Sequence, residues 1–123
     1  MGEAAAAAWY EARGYEIVDR NWRVRGGELD LVARSGRTGS RTIGSRNIGS
    51  RNIIVFCEVK TRSSDRFGIP AEAVTPAKQR RLRTLAAQWL AAHPGFGGEV
   101  RFDVASVTPA RETPTVTVLE AAF

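Results

Sequence analysis

Residues 53–62, with the sequence IIVFCEVKTR, decide the fold of this chain. The first five residues are all apolar, which is typical of a central β-strand that is buried on both faces. Glu58 and Lys60 stand two positions apart after this run, so a strand directs both side chains to the same face. The segment therefore predicts a central strand that ends with an acid and a base side by side.

Three elements are predicted before this strand. Residues 3–13 are strong helix formers that end at Gly14, a common helix stop. The β-branched and aromatic residues of 15–24 indicate a strand. After a Gly-Gly turn, residues 28–34 form a second strand with one apolar and one mixed face. The apolar face holds Leu29, Leu31 and Ala33, and the mixed face holds Glu28, Asp30 and Val32.

One long helix and two strands are predicted after it. Thr75 as the cap and Pro76 in the first turn begin a helix that runs to about His93. Residues 100–107 and 115–121 indicate strands. The core face of the helix holds Leu82, Leu85, Ala86, Trp89 and Leu90. The order α-β-β-β-α-β-β predicts an α/β sandwich around a mixed sheet, and 123 residues fit one domain over residues 1–123.

A short repeat at residues 39–53 interrupts this pattern with the units GSRTI, GSRNI and GSRNI. We interpret residues 34–52 as a basic Gly/Ser/Arg loop within the domain, either a duplicated hairpin tip or an arm that contacts phosphates. The net charge is +5, but this loop holds five arginines and no acid. The rest of the chain has 13 basic and 13 acidic residues, so overall basicity is not evidence for nucleic-acid binding.

Several functional classes are excluded by composition. Cys57 is the only cysteine and His93 the only histidine, so the chain forms neither an internal disulfide nor a Cys/His zinc site. No apolar run reaches the roughly 20 residues of a membrane span. The N-terminus lacks the basic start and cleavage site of a secretory signal. We therefore expect a cytoplasmic protein with no membrane partner, in which Cys57 is a small buried hydrophobe.

The charged residues of two strands suggest a metal site. Glu28 and Asp30 form a second i, i+2 pair, and a hairpin would place them opposite Glu58 and Lys60. Carboxylates around one lysine suit Mg²⁺, which binds one or two carboxylates together with waters and a substrate phosphate. Lys60 would orient a water or stabilise charge on phosphorus. The alternative is a solvated ion pair worth under about 1 kcal/mol.

Two specific stretches, Gly27–Leu31 (GELDL) and Glu58–Arg62 (EVKTR), occur in order within residues 2–107. Further matches are Gly2, Glu3, Gly14, Tyr15, Ile17, Arg20, Asn21, Val55–Cys57, Phe67, Gly68, Glu72–Val74, Lys78, Leu82 and Arg101–Val104. With this set the sequence resembles the YraN-like family of uncharacterised bacterial proteins. That family is similar to the restriction-endonuclease-like, or PD-(D/E)xK, superfamily, and within it to archaeal Holliday-junction resolvases.

The resemblance implies a restriction-endonuclease-like mixed sheet flanked by helices, and an endonuclease that uses Mg²⁺ or Mn²⁺ to hydrolyse branched or structured DNA. By position it implies Asp30, Glu58 and Lys60 as catalytic residues, with Glu3, Asp30 and Glu58 as metal ligands. Glu28 would hold the turn or support the ligands. The helix dipole alone also favours an acid at Glu3. The resolvases act as dimers, so a homodimer is implied, although no self-complementary surface is evident.

Two features depart from the family pattern. Only two residues precede Glu3, which predicts a first helical turn that is weakly held. The segment between the second and third strands is longer than a tight hairpin requires.

Basic residues near the site suggest where nucleic acid binds. Lys78 and Arg81 share one face of the long helix, and a helix N-terminus with basic side chains suits phosphates. The full candidate set is Arg62, Lys78, Arg80, Arg81 and Arg83. The alternative is an exposed, solubilising face. No helix-turn-helix or zinc finger is present, so these contacts would not read base sequence.

Three functions remain open from the sequence. The first is a metal-dependent endonuclease. The second is a non-catalytic nucleic-acid-binding module that keeps the nuclease fold, and the third is an interaction subunit of a larger complex.

Deletion of residues 37–51 tests the basic-arm hypothesis for the repeat. If the arm contacts phosphates, the deletion weakens binding to DNA at low salt and flattens its salt dependence. Fluorescence anisotropy with a labelled duplex measures both quantities, and unchanged affinity at low salt rules the arm out.

Overall fold

The structure, a computed structural model, describes residues 2–35, 41–43, 46–48, 52–61 and 74–123. Its elements are α1 (Gly2–Glu11), β1 (Glu16–Val24), β2 (Gly27–Ser35), β3 (Arg41–Ile43), β4 (Arg46–Ile48), β5 (Ile53–Thr61), α2 (Pro76–Ala92), β6 (Glu99–Thr108) and β7 (Thr115–Leu119). The predicted order of helices and strands is present. Two short strands, β3 and β4, lie within the repeat and were not predicted.

The main sheet has the strand order β1-β2-β5-β6-β7. β5 lies in its centre, antiparallel to β2 and parallel to β6, so the sheet is mixed as predicted. β3 and β4 pair with each other in a separate two-stranded sheet. β2 and β5 remain neighbours in the main sheet, paired from Leu31 with Cys57 to Ser35 with Ile53.

The sheet has a helix on each face. Alternate residues of β5 enter two buried clusters: Ile54 and Phe56 pack with α2, whereas Val55 and Cys57 pack with α1. β5 is thus buried on both faces, as its continuous apolar sequence predicts. The α2 residues predicted as its core face are the ones that contact the sheet, with Trp89 fully buried. Neither helix in the described ranges is both long and apolar enough to cross a membrane.

The prediction that Leu29, Leu31 and Ala33 share one face of β2 is wrong. Leu29 packs in the cluster under α2, whereas Leu31 and Ala33 pack in the cluster under α1. The alternation of side chains is therefore interrupted at Asp30. Opposite this point β1 is also irregular, since Asn21 has a positive φ of 50°. The interruption matters because it turns the Asp30 carboxylate toward the end of β5.

The Asp103 carboxylate ties α1 to the sheet. Asp103 is fully buried, and its Oδ2 accepts hydrogen bonds from the Tyr10 hydroxyl at 2.6 Å and from Arg101 Nη2 at 2.8 Å. Its Oδ1 accepts from Arg101 Nε at 2.9 Å and from the Ala121 amide at 3.0 Å. Four donors on one carboxylate satisfy a buried charge that would otherwise be strongly destabilising.

We expect Asp103→Ala to lower the free energy of unfolding by about 3–5 kcal/mol, because it removes the buried acceptor of both Tyr10 and Arg101. Urea denaturation followed by circular dichroism measures the change. Glu112→Ala is the control, since Glu112 is exposed and its loss should stay within about 0.5 kcal/mol. A loss below about 1 kcal/mol at Asp103 would show that the network contributes little.

Candidate active site

Asp30 lies where β2 and β5 begin to separate. The last residue pair between these strands is Leu31 with Cys57, and beyond it the Asp30 side chain continues the contact. Its Oδ2 accepts a hydrogen bond from the Val59 backbone amide at 2.9 Å. The carboxylate is thereby held at the end of the central strand, next to Glu58.

Glu58 is an acid at the edge of the core, with only 9% of its side chain exposed. Lys60 Nζ lies 3.4 Å from Glu58 Oε2, which confirms that the two side chains share a face. A second ammonium is closer, since Lys78 Nζ lies 2.7 Å from the same oxygen. Two cations compensate the charge of this desolvated carboxylate.

The first turn of α2 brings Lys78 to this position. Thr75 is the N-cap, as predicted, and its hydroxyl oxygen accepts a hydrogen bond from the Lys78 amide at 3.1 Å. The cap fixes where the helix begins, and Leu82 and Leu85 then pack the helix on the sheet. Lys78 was predicted to bind nucleic acid. Its contact with Glu58 was not predicted, because only the packing of α2 shows which strand its first turn meets.

α1 brings Glu3 to the same site. The helix begins at Gly2, which is buried against the end of β5: a Cβ there would lie 2.5 Å from Thr61 Oγ1 and 3.2 Å from Val59 Cγ1. Only glycine allows the helix to approach β5 this closely. The first turn is therefore packed against the sheet, in contrast to the weakly held turn expected from the sequence.

Glu28 is paired with a residue of the neighbouring strand β1. It pairs with Arg23 on the neighbouring strand, with Arg23 Nε 3.3 Å from Glu28 Oε1, while it also borders the site. The preceding Gly27 has a φ of +145°, and a Cβ there would lie 3.3 Å from Leu85 Cδ1 of α2. A side chain at Gly27 would be strained and would crowd the helix that carries Lys78.

These elements enclose a pocket of about 420 Å³. Its charged lining consists of Glu3, Glu28, Asp30, Glu58, Lys78 and Arg81, and its remaining lining consists of Gly27, Val59, Leu82 and Leu85. Four acids and two bases around one cavity form a polar site on an apolar floor. The predicted acids therefore come together, although they arise from three separate elements.

Burial and neighbouring charges shift the pKa of three groups at the site, Asp30, Lys60 and Lys78. Burial raises the pKa of Asp30 to about 6, the Val59 amide opposes this rise, and the charges of Glu58, Glu3 and Glu28 add to it. The hydrogen bond from Lys78 and then burial lower the pKa of Lys60, against the attraction of Glu58. Burial would lower the pKa of Lys78, but its contact with Glu58 raises it. Shifted groups in a cleft are typical of functional sites.

The remaining predicted basic residues are more dispersed. Arg81 borders the pocket, whereas Arg80 is exposed and outside its lining. Arg83 lies over the rings of Phe102 and Phe123, 5.0 and 5.4 Å from their centroids, so it covers aromatic core. Arg62 falls outside the described residues.

The donor atoms of the site fit a hard divalent cation. All of its acidic groups offer oxygen, which Mg²⁺ and Mn²⁺ prefer, and Mg²⁺ needs only one or two carboxylates. Within the described part of the chain, no three His, Cys, Asp or Glu side chains form a ready-made metal cluster. The carboxylates that could hold such a cation are those of Asp30, Glu58 and Glu3, all of which line the pocket.

Cys57 is not a reactive thiol. Only 3% of the residue is exposed beneath α1, and burial raises its pKa to about 12. The group stays protonated near neutral pH, while a nucleophilic cysteine needs a thiolate. The structure therefore agrees with the expected role of Cys57 as a small core residue.

Fold and site define an α/β protein with a carboxylate–lysine site at the end of its central strand. The chain belongs to the uncharacterised protein family UPF0102, whose sequence pattern matches residues 2–107. UPF0102 is the YraN-like family, so the match confirms the family expected from the GELDL and EVKTR stretches.

Individual relatives match most of the chain. The chain is 52% identical over 110 residues to a UPF0102 protein of Beutenbergia cavernae, covering 89% of this chain and 80% of that protein. It is 45% identical to UPF0102 proteins of Mycolicibacterium vanbaalenii and Nocardia farcinica, covering 95% and 99% of this chain and 85% of each relative. The family match over residues 2–107 includes every element that lines the pocket.

We expect Asp30→Asn to have a higher melting temperature than wild type at pH 8. The difference between the two melting temperatures should decrease as the pH falls toward 4. The folded pKa of about 6 lies above the ordinary 3.8, so ionised Asp30 destabilises the fold. This penalty is absent below about pH 4 and complete above pH 6, and the asparagine oxygen can still accept from Val59. Thermal unfolding across this range measures the gap, with the exposed Glu112→Gln as control. A constant gap would contradict the expectation.

Proposed function

We propose that this protein is a divalent-metal-dependent endonuclease that hydrolyses phosphodiester bonds of branched or structured DNA. The observation that carries the proposal is the convergence of Asp30 and Glu58 on one pocket, with Lys60 Nζ 3.4 Å from Glu58. The resemblance of GELDL and EVKTR to the PD-(D/E)xK pattern supports the same assignment. The pattern names Asp30 and Glu58, which line the pocket, and Lys60, which contacts Glu58.

Each residue has a distinct proposed role. Asp30 and Glu58 would hold Mg²⁺ or Mn²⁺, with Glu3 as a further oxygen donor. Such an ion supplies Lewis-acid polarisation of a phosphate and an acidic bound water. Lys60 would position the attacking water or balance charge on the phosphate. Glu28 pairs with Arg23, and so would support the turn behind the site.

The start of α2 supplies the proposed contact with nucleic acid. Lys78 and Arg81 line the pocket from the first two turns, where the helix dipole also favours anions. Both would contact backbone phosphates, which gives affinity without base recognition. The preference for branched DNA and a homodimeric assembly rest on the resemblance to resolvases.

We expect purified wild-type protein to cleave branched DNA with Mg²⁺ or Mn²⁺ and to be inactive with EDTA. Lys60→Ala should lower the cleavage rate by on the order of 10²–10³, the usual effect of losing one charge-stabilising group. Gel electrophoresis of labelled four-way junctions, flaps and linear strands measures the rate.

Arg111→Ala is the control for this substitution, because Arg111 is exposed and remote from the pocket lining. Its rate should equal that of wild type. Absence of metal-dependent cleavage on every substrate would contradict the nuclease assignment. Cleavage that survives Lys60→Ala would contradict the assignment of the site.

A second candidate is a non-catalytic nucleic-acid-binding module. One observation favours it: both Lys78 and Lys60 contact Glu58 and balance its charge. This candidate predicts DNA binding with a steep salt dependence, equal affinity with and without Mg²⁺, and no cleavage.

A further inference from the structure

The chain has only two lysines among its 18 basic residues, and both contact Glu58. The other 16 are arginines. A lysine ammonium is a compact charge on a flexible stem, whereas a guanidinium forms a planar, rigid fork. The site therefore uses the cation that can move most easily between two partners.

The two lysines are held differently. Lys60 is two residues from Glu58 on the same strand and stays beside it. Lys78 belongs to α2, and only its side chain connects it to Glu58, at 2.7 Å. Its backbone amide is fixed by Thr75, so the side chain can change partner while the helix stays in place.

A dication at Glu58 would place a double positive charge beside the Lys78 ammonium. Like charges at a carboxylate that is only 9% exposed repel strongly, because little water screens them. Lys78 would have to leave Glu58 when the dication arrives. Around it, Arg81 and the first turn of α2 offer a basic surface at which an incoming phosphate can replace Glu58 as the anionic partner.

We propose that Lys78 substitutes for the divalent cation at Glu58 and exchanges this carboxylate for a nucleic-acid phosphate, so that metal and nucleic acid bind cooperatively. The inference rests on the proposed function for its metal and its phosphate. The protein alone then binds metal weakly, and the full site forms when substrate is present. Thermodynamic linkage requires that metal strengthens phosphate binding by the same factor by which phosphate strengthens metal binding.

The test measures Mn²⁺ affinity of the full chain by electron paramagnetic resonance. Lys78→Gln should bind Mn²⁺ about tenfold more tightly than wild type, because the competing charge is removed. Arg81→Gln removes one charge from the same pocket without a contact to Glu58, and should change affinity less than about threefold. Lys78→Arg retains the charge and should stay near wild type.

The second measurement adds a phosphorothioate-linked oligodeoxynucleotide, which resists hydrolysis, and corrects for Mn²⁺ bound to the oligonucleotide alone. Wild type should gain about tenfold in Mn²⁺ affinity, whereas Lys78→Gln should gain less than about threefold. If Lys78→Gln unfolds, Lys78→Met provides the same neutral test.

Unchanged or weaker Mn²⁺ binding by the neutral variants overturns the exchange, and so does an equal gain with oligonucleotide in both proteins. The two proposals fail separately. Metal-dependent cleavage by wild type, together with unchanged Mn²⁺ affinity in Lys78→Gln, contradicts only the exchange. No cleavage by wild type, together with tighter Mn²⁺ binding in Lys78→Gln, contradicts only the nuclease assignment.

Discussion

The charge of Glu58 is the constraint on which the site depends. An apolar strand carries this carboxylate to the edge of the core, where water can no longer compensate it. Compensation comes from Lys60 on the same strand and from Lys78 on the long helix. The position of α2 is therefore part of the electrostatics of the site as well as of the core.

The second acid depends on backbone geometry. A regular β2 would keep Leu29 and Leu31 on one face, but they pack on opposite faces around Asp30. The irregularity lets the Asp30 carboxylate accept the Val59 amide hydrogen bond. On the other side of the sheet, the buried Asp103 network anchors α1, and Gly2 lets its first turn approach β5. The packing of α1 on the sheet thus sets the place of Glu3.

The sequence was sufficient for features that arise within one element. The apolar run of residues 53–57 predicted the central strand, the Thr75-Pro76 pair predicted the helix start, and i, i+2 spacing predicted the pairing of Glu58 with Lys60. Features that join distant elements could not be predicted. The contact of Lys78 with Glu58 needs the docking of α2, and the irregularity at Asp30 has no periodic signal. The short strands β3 and β4 lie in a polar repeat whose apolar residues follow neither the helical nor the strand period.

The pairing of Ser35 with Ile53 means that the chain leaves and re-enters the main sheet at neighbouring positions. This point lies five residues along β2 from Asp30, about 17 Å at the rise of an antiparallel strand. Five-residue units between these positions can be gained or lost without a shift in the register of β2 and β5. A change in the number of these units would therefore change the length of the protein while Asp30 and Glu58 keep their relative positions.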